Sequence, residues 1–446
     1  MSHLEQNVAT AAAGSATPEA VVELDTIEGS APDSSHRDPE SSPLAWLCVF
    51  GSFLFLYPCY GLMQSAGTIQ SYLQQNQLSA YSPRDLGWIT GLFTSLCLLL
   101  GIQTGPLMDA YGTQFLAPLS VALYVPMFFA MGECTEYWQF ILCFGVMGGI
   151  AGALTSTVAI TVIGKLFNRR KGLAMGVALA GSSLGGVTIS LLLRSILPRL
   201  GWQWSMRVMG FLAMGTMTLG TICFLPYPRL STPISGAPVG KEGAMLNFSA
   251  FRSVPFGFIS MGSFLLEFVL FGITGLLPTF AIAVGFGSEA GFNLIAILNG
   301  GSFLGRITTG MVGDRLGHLN VLITMIFITI VITGIIFVPF GTKHIGALYT
   351  FAALWGYGSG SFLSGTPACV AKTCEPKDYG RYIGTMNFLV SFSLLVTVPV
   401  GGEMLESMGG TALSGFYLAV LFLGGSCFFA ARTLMLDGRL TSRARI

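Results

Sequence analysis

Twelve apolar runs, each about as long as a membrane-spanning helix, restrict this chain to few folds. A helix needs roughly 20 mostly apolar residues to cross the hydrocarbon core of a bilayer. The runs lie approximately at 44–68, 85–107, 114–131, 138–164, 172–193, 205–225, 254–276, 289–311, 319–340, 345–367, 382–402 and 412–432. Only 10% of the residues are charged, whereas soluble domains carry about 25%. We therefore predict an all-α membrane protein with twelve transmembrane helices, surrounded by the lipid bilayer.

Polar stretches divide the chain into five segments. Six apolar runs precede the stretch PYPRLSTPISGAPVGKEGAMLNF and six follow it, and its Pro, Gly and Ser content is typical of a linker. The first residues are rich in Ala, Ser, Glu, Asp and Pro, as disordered tails are. The predicted segments are an N-terminal tail at 1–43, a six-helix bundle at 44–225, a linker at 226–250, a second six-helix bundle at 251–432 and a C-terminal tail at 433–446.

The basic residues predict how the chain lies in the membrane. Lys and Arg accumulate in the cytosolic loops of membrane proteins. With both termini on one side, that side holds sixteen of the 22 basic residues and the other side holds five. We predict a multi-pass protein with both termini in the cytosol, and the plasma membrane as its location.

One short motif occurs twice, 205 residues apart, as GPLMDAYG at 105–112 and GMVGDRLG at 310–317. Its recurrence between the second and third runs of each half indicates two bundles related by an axis along the membrane normal. Glycine permits positive φ and close helix approach there, and each Asp can bind a helix N-terminus or a cation on a neighbouring helix end. A plain turn with a capping Asp is the alternative. The candidate gating residues are Gly105, Asp109, Gly112, Gly310, Asp314, Arg315 and Gly317.

Several stretches together resemble a known transporter family. They are AWLCVFGSFLF, GTIQSYLQ, LGWITGLFTSLCLLLGIQTGPLMDAYG, KLFNRRKGLAMGVALAGSSLGG and LGRITTGMVGDRLG. The chain resembles the major facilitator superfamily, whose loop between helices two and three carries G-x-x-x-D-R-x-G. Within it, the chain resembles the fungal branch of the monocarboxylate porter family. The resemblance implies a secondary transporter that works by alternating access, with substrate bound between its halves.

Two charged residues fall inside apolar runs, where a charge is costly and usually functional. Arg306 lies in the eighth run, and the resemblance implies that an arginine in this helix binds a substrate carboxylate. Alternatively, Arg306 extends to the cytosol or pairs with Asp314. Glu267 is the only acidic residue deep in a run. It is a candidate for proton coupling or for the countercharge of Arg306, and a purely structural glutamate is the alternative.

Two departures from the family pattern bear on the substrate. Proton-linked lactate carriers of this family have a lysine where this chain has Gln64, and an aspartate where it has Ser302. A small monocarboxylate moving with a proton is therefore disfavoured relative to a larger, less charged organic compound. The candidate substrate-binding residues are Arg306, Gln64, Asn299, Tyr60 and Asn387.

The function predicted from these observations is secondary transport of a small organic metabolite, with export of a secondary metabolite slightly favoured. Proton-linked uptake of a monocarboxylate or related nutrient is the alternative, and a membrane sensor that does not transport is a remote one. No catalytic cluster, metal-ligand spacing or cofactor motif stands out, so we predict neither an enzyme nor a cofactor. The net charge of +1 gives no indication of a nucleic-acid partner.

Overall fold

The computed structural model describes four ranges of the chain, almost entirely helical and without a strand among them. The described ranges are 42–167, 170–230, 248–375 and 378–436, apart from the side chains at 102, 105, 106, 109 and 110. Most of the predicted tails and linker lies outside them. The division into five segments therefore stays a prediction.

The described helices are numbered α1 to α12, one for each predicted span. Their bounds are α1 Pro43–Gln75, α2 Pro83–Leu99 extended by 101–110, α3 Tyr111–Glu133, α4 Tyr137–Leu166, α5 171–200, α6 202–223, α7 Val254–Ala283, α8 Ser288–Leu316, α9 His318–Phe340, α10 Ile345–Val370, α11 Tyr379–Met408 and α12 Gly410–Met435. Eight stretches of the described chain are long and apolar enough to cross a membrane, and one of them contains both α5 and α6. The helices below that measure are α2, which is too short over Pro83–Leu99, α8 and α10. The all-α fold is confirmed.

Single glycines make the corners for which the sequence predicted short loops. Gly112 separates α2 from α3 with φ 69°, and Gly317 separates α8 from α9 with φ 94°. Gly201 and Gly409 make the corresponding corners after α5 and α11, with φ 70° and 83°. A residue with a side chain is strained in this left-handed conformation, whereas glycine is not. The last glycine of each repeated motif therefore takes a positive φ, which the motif permits.

Large apolar side chains lie on the surface of the described chain, and polar and charged side chains are buried among its helices. Phe327, Ile335 and Phe422 have more than 60% of their surface exposed, whereas Gln64 and Arg306 have at most 1% exposed. A soluble protein distributes these residue types in the opposite way. An exposed apolar surface around a buried polar interior fits a protein whose solvent is lipid.

The two halves meet along three helix pairs. Helix α5 packs on α8, α2 packs on α11, and α1 packs on α7. Glycines allow close approach, because a side chain on Gly67 would overlap the Gly275 carbonyl of α7 and one on Gly176 would come within 2.6 Å of the Arg306 carbonyl of α8. The polar residues between the halves lie along these three contacts.

Candidate substrate-binding site and gates

Arg306 is completely buried on α8, and its guanidinium contacts α5. Its Nε donates to Ser302 Oγ at 3.2 Å. One terminal nitrogen donates to the Leu179 carbonyl at 2.7 Å and also to the Ser182 hydroxyl. In this conformation Arg306 therefore joins the two halves. Its guanidinium neither extends to solvent nor pairs with Asp314 within the described chain.

Glu267 lies on α7 with 7% of its surface exposed. It interacts electrostatically with Arg306, yet no ion pair of the described residues joins them, and its Oε2 has no hydrogen-bond partner. The Tyr60 hydroxyl of α1 is a further electrostatic neighbour of both residues. Glu267 and Arg306, with the neutral Tyr60 as their neighbour, thus form a buried layer across three helices, which we name the charged layer.

A second polar layer lies nearer the side where α1 ends. Gln64 is 1% exposed and neither end of its amide has a hydrogen-bond partner. Asn299 is fully buried; its Nδ2 donates to the Ile295 carbonyl at 2.9 Å, and its Oδ1 has no partner. The indole nitrogen of Trp355 and the hydroxyl of Ser190 are likewise buried without a partner. Each buried polar group without a hydrogen-bond partner lowers the stability of the protein by about 1–3 kcal/mol, unless a ligand or water supplies the partner.

Asn387, the last candidate substrate-binding residue, and two tyrosines differ from these groups. Asn387 is half-buried on α11, in the half of the helix nearer its start. The Tyr57 hydroxyl lies 2.6 Å from Thr188 Oγ1, and the Tyr357 hydroxyl accepts from Thr308 Oγ1 at 3.2 Å. The hydroxyls of these two tyrosines therefore have partners on neighbouring helices, whereas the Gln64 amide, Asn299 Oδ1 and Trp355 Nε1 have none among the described residues.

Asp314 connects the halves at the side where α1 begins, which we name the N-terminal side. Its carboxylate accepts from the backbone N–H of Gly172 at 3.2 Å and of Leu173 at 3.0 Å. These N–H groups belong to the first turn of α5, where they lack partners within the helix. His318 Nε2 lies 3.1 Å from the same carboxylate. We name the contact of Asp314 with α5 the N-side lock.

The N-side lock has contacts that the sequence did not specify. Asp314 lies in the last turn of α8, accepts the N–H groups at the start of α5 and also lies beside His318, the first residue of α9. Arg315 is exposed and forms none of the ion pairs of the described residues, so it is not the partner of Asp314. Gly310 approaches α5 closely, since a side chain there would lie 2.7 Å from the Gly172 carbonyl. The side chains at Gly105 and Asp109 lie outside the description.

Lys171 and Tyr379 add a contact beside the lock. The Lys171 ammonium lies 3.9 Å from the centre of the Tyr379 ring. Lys171 begins α5 in the first half, and Tyr379 begins α11 in the second. A cation over an aromatic face is attracted by the ring quadrupole, so this contact also holds the N-terminal side closed.

Two ion pairs close the opposite side, which we name the distal side. Arg84 of α2 lies 3.4 Å from Glu403 of α11. Arg194 of α5 lies 3.1 Å from Glu289 of α8 and also donates to Asn293 Oδ1 at 2.7 Å. We name these two ion pairs the distal bridges. In both, the first half supplies the arginine and the second half the glutamate.

Reasoning from the sequence missed the distal bridges. It counted Arg84 and Arg194 only as basic residues of outer loops, although they lie on α2 and α5. A signal was present: Arg84 and Glu289 are each the second residue of the second helix of a half. Aligning the halves would have placed opposite charges at matching positions.

Comparisons with known proteins agree with this architecture. The chain is 30% identical over 410 residues to the riboflavin transporter MCH5 of Saccharomyces cerevisiae, covering 88% of this chain and 78% of the relative. It is 30% identical over 412 residues to the aspyridones efflux protein apdF of Emericella nidulans, covering 90% and 82%. It is 28% identical to the agnestins efflux protein AgnL12 of Paecilomyces divaricatus, covering 95% and 94%.

Solved structures share the fold at low sequence identity. The human organic anion transporter MFSD10 superposes with a TM-score of 0.65 at 14% identity, covering 87% of this chain and 100% of that one. A bacterial homologue of the human lysosomal transporter Spinster superposes with a TM-score of 0.59. The model of the Major Facilitator Superfamily matches residues 45–309 and 300–444. This chain, a multi-pass transporter of small molecules, therefore belongs to the Major Facilitator Superfamily.

Proposed function

We propose that this transporter exports a small organic metabolite of low net charge, which binds between its halves near Gln64, Asn299 and Arg306. The observation that carries this proposal is the position of buried polar groups without partners between two closed sides. The efflux relatives support the direction. The absence of a lysine at Gln64 and of an aspartate at Ser302 supports a weakly charged substrate.

Contacts on both sides of these groups support alternating access. The N-side lock holds α8 against α5, and the distal bridges hold α2 against α11 and α5 against α8. If both sides opened together, the barrier to solutes would be lost. A transport cycle therefore requires the lock and the bridges to break in turn, while Gly67 and Gly176 keep the central helices in contact.

The distribution of basic residues supports an orientation for this cycle. The N-terminal side carries Lys165, Arg170 and Lys171 in the described chain, as expected of a cytosolic side. On this assignment the N-side lock is the cytosolic gate and the distal bridges are the outer gate. We assign the protein to the plasma membrane, where export moves the metabolite out of the cell.

A cross-link across one distal bridge tests this proposal. In Arg84→Cys/Glu403→Cys, oxidation should fix α2 to α11 and stop export, and reduction should restore it. Export is measured as the metabolite retained by cells, compared with a deletion strain. The matched control is Glu133→Cys/Arg207→Cys, because that ion pair of 2.9 Å joins α3 to α6 within one half. Normal export by the oxidised Arg84→Cys/Glu403→Cys protein contradicts alternating access at this gate.

Glu267 favours a second candidate function, the proton-linked uptake of a carboxylate. Its carboxyl is buried in the charged layer beside Arg306 and has a free oxygen, so it can take up and release a proton during a cycle. Arg306 would then bind the substrate carboxylate after leaving α5. Uptake of labelled lactate and pyruvate into cells at acidic external pH separates the two candidates, because the exporter takes up neither.

A further inference from the structure

Gln64, Asn299 and Trp355 lie at one depth on three different helices. Gln64 and Asn299 are equally far along α1 and α8 from the distal ends at Gln75 and Ser288, roughly 16 Å at 1.5 Å per residue. Trp355 is one residue nearer the distal end of α10. The charged layer lies more than one helical turn deeper.

Close contacts connect the helices that carry these side chains. A side chain on Gly61, one turn before Gln64, would lie 2.8 Å from Gly185 of α5. The adjacent Gly186 lies directly against the Asn299 side chain. On the other side of Asn299, Gly356 packs on the Leu298 carbonyl, which brings the neighbouring Trp355 to the same level. We name Gln64, Asn299 and Trp355 the amide subsite.

The unsatisfied atoms of the amide subsite have a definite pattern. Gln64 presents an acceptor and a donor on one planar amide, Asn299 presents an acceptor, and Trp355 presents a donor. None of the three carries a charge. The cation of the charged layer, Arg306, already donates to Ser302 and to α5. A ligand that satisfies this subsite needs a neutral edge with an N–H donor next to a carbonyl acceptor.

We propose that the amide subsite binds substrates through a cis-amide edge, as found in lactams, imides and pyridones. The ligand N–H donates to Gln64 Oε1, and Gln64 Nε2 donates to the ligand carbonyl. Asn299 Oδ1 and Trp355 Nε1 bind further polar groups of the same planar compound, and the Trp355 ring packs on its face. This inference rests on the proposed function, because it assigns the substrate class of the same central site.

A matched pair of probes tests the amide subsite. The probes are 2-quinolone and N-methyl-2-quinolone, which have the same ring system and carbonyl, but only the first has the N–H donor. Binding to the purified full-length protein is measured by calorimetry. The wild type should bind 2-quinolone at least about tenfold more tightly, because a site built to accept an N–H is left with an unpaired acceptor by the methylated probe.

Variants connect this preference to Gln64. In Gln64→Leu the ratio of the two affinities should fall to about one. Gln64→Glu is a second variant in case the first does not fold, and its affinity for 2-quinolone should fall about tenfold. Gln77→Leu is the control, because Gln77 also has a buried unpaired oxygen but lies outside the subsite, between α1 and α2. Its ratio should equal that of the wild type.

Three results would overturn the inference: equal affinity of the wild type for both probes, no binding of either, or an unchanged ratio in Gln64→Leu together with an unchanged affinity for 2-quinolone in Gln64→Glu. Each would mean that water or protein groups satisfy Gln64 during the cycle. The cross-link of Arg84→Cys/Glu403→Cys reports separately on transport. If it stops export while the probes bind equally, the proposed function stands and only the substrate class is wrong.

Discussion

Replacing Asp314 by asparagine should open the N-side lock while leaving the rest of the chain in place. The carboxylate accepts two backbone N–H groups at the start of α5, at 3.2 and 3.0 Å, and only 19% of the side chain is exposed. Solvent and salt therefore screen it weakly. Asparagine has a similar shape but no charge, and only one of its two terminal atoms accepts a hydrogen bond.

The expected cost follows from those two contacts. A hydrogen bond to a charged group contributes about 1.5–3 kcal/mol, a neutral one contributes about 1 kcal/mol, and an anion at a helix start adds about 0.3–1 kcal/mol. Asp314→Asn loses one hydrogen bond to a charged acceptor, replaces the other by a neutral one and loses the charge at the helix start. It should therefore destabilise the closed N-terminal side by about 2–6 kcal/mol, a shift toward the open state of at least roughly thirtyfold. The substitution should leave the distal bridges intact.

Hydrogen exchange of the peptide that contains Gly172 and Leu173 measures this shift, because both amides lose their acceptor when the lock opens. Exchange should accelerate by at least roughly thirtyfold in Asp314→Asn. Arg315→Gln is the control, since that side chain is exposed and lies next to Asp314; its exchange should match the wild type. If Asp314→Asn exchanges no faster than Arg315→Gln, the lock does not hold the halves together.

Three further predictions concern the distal bridges, the central helix crossing and the charged layer. Glu403→Arg should slow export less than about fivefold, since the side chains of this pair are 56% and 54% exposed. Adding Arg84→Glu should restore the rate of export. No recovery in the double variant would argue against a direct ion pair. Gly67→Ala should destabilise the protein by about 1–3 kcal/mol, because its new methyl group overlaps the α7 backbone. The loss is measured as a lower melting temperature. Gly257→Ala is the control, because a methyl group there enters open space, and it should destabilise the protein far less. Equal losses of stability in the two variants would show that α1 and α7 can separate without cost. Glu267→Gln should abolish any dependence of transport on an imposed pH gradient while leaving substrate exchange measurable in vesicles, and a retained dependence would exclude Glu267 as the proton carrier.

The sequence predicted the features that depend on neighbouring residues. A helix that crosses a membrane needs an apolar run of sufficient length, and such a run is visible in the sequence. The twelve predicted runs therefore match α1 to α12 within a few residues at most ends. Glycine alone takes positive φ without strain, so the repeated motif indicated the corners at Gly112 and Gly317. The charged positions Arg306 and Glu267 were recognisable because a charge interrupts an otherwise apolar run.

The partners of these residues were not predictable, because they lie far away along the chain. Arg306 donates to α5, more than a hundred residues earlier, and Arg84 pairs with Glu403 more than three hundred residues later. Local patterns carry no information about which helix faces which. For the same reason the sequence did not indicate that Asp314 binds the N–H groups at the start of α5, more than 140 residues earlier.

The charges of the distal bridges also have a consequence for assembly. The first half carries arginine at both bridge positions, and the second half carries glutamate at both. If two copies of the first half came together in the same arrangement, Arg84 would face Arg194; two copies of the second half would set Glu289 against Glu403. Like charges repel, so each half disfavours its own copy and favours the other. When the halves are produced as separate chains, they should therefore assemble as an unlike pair.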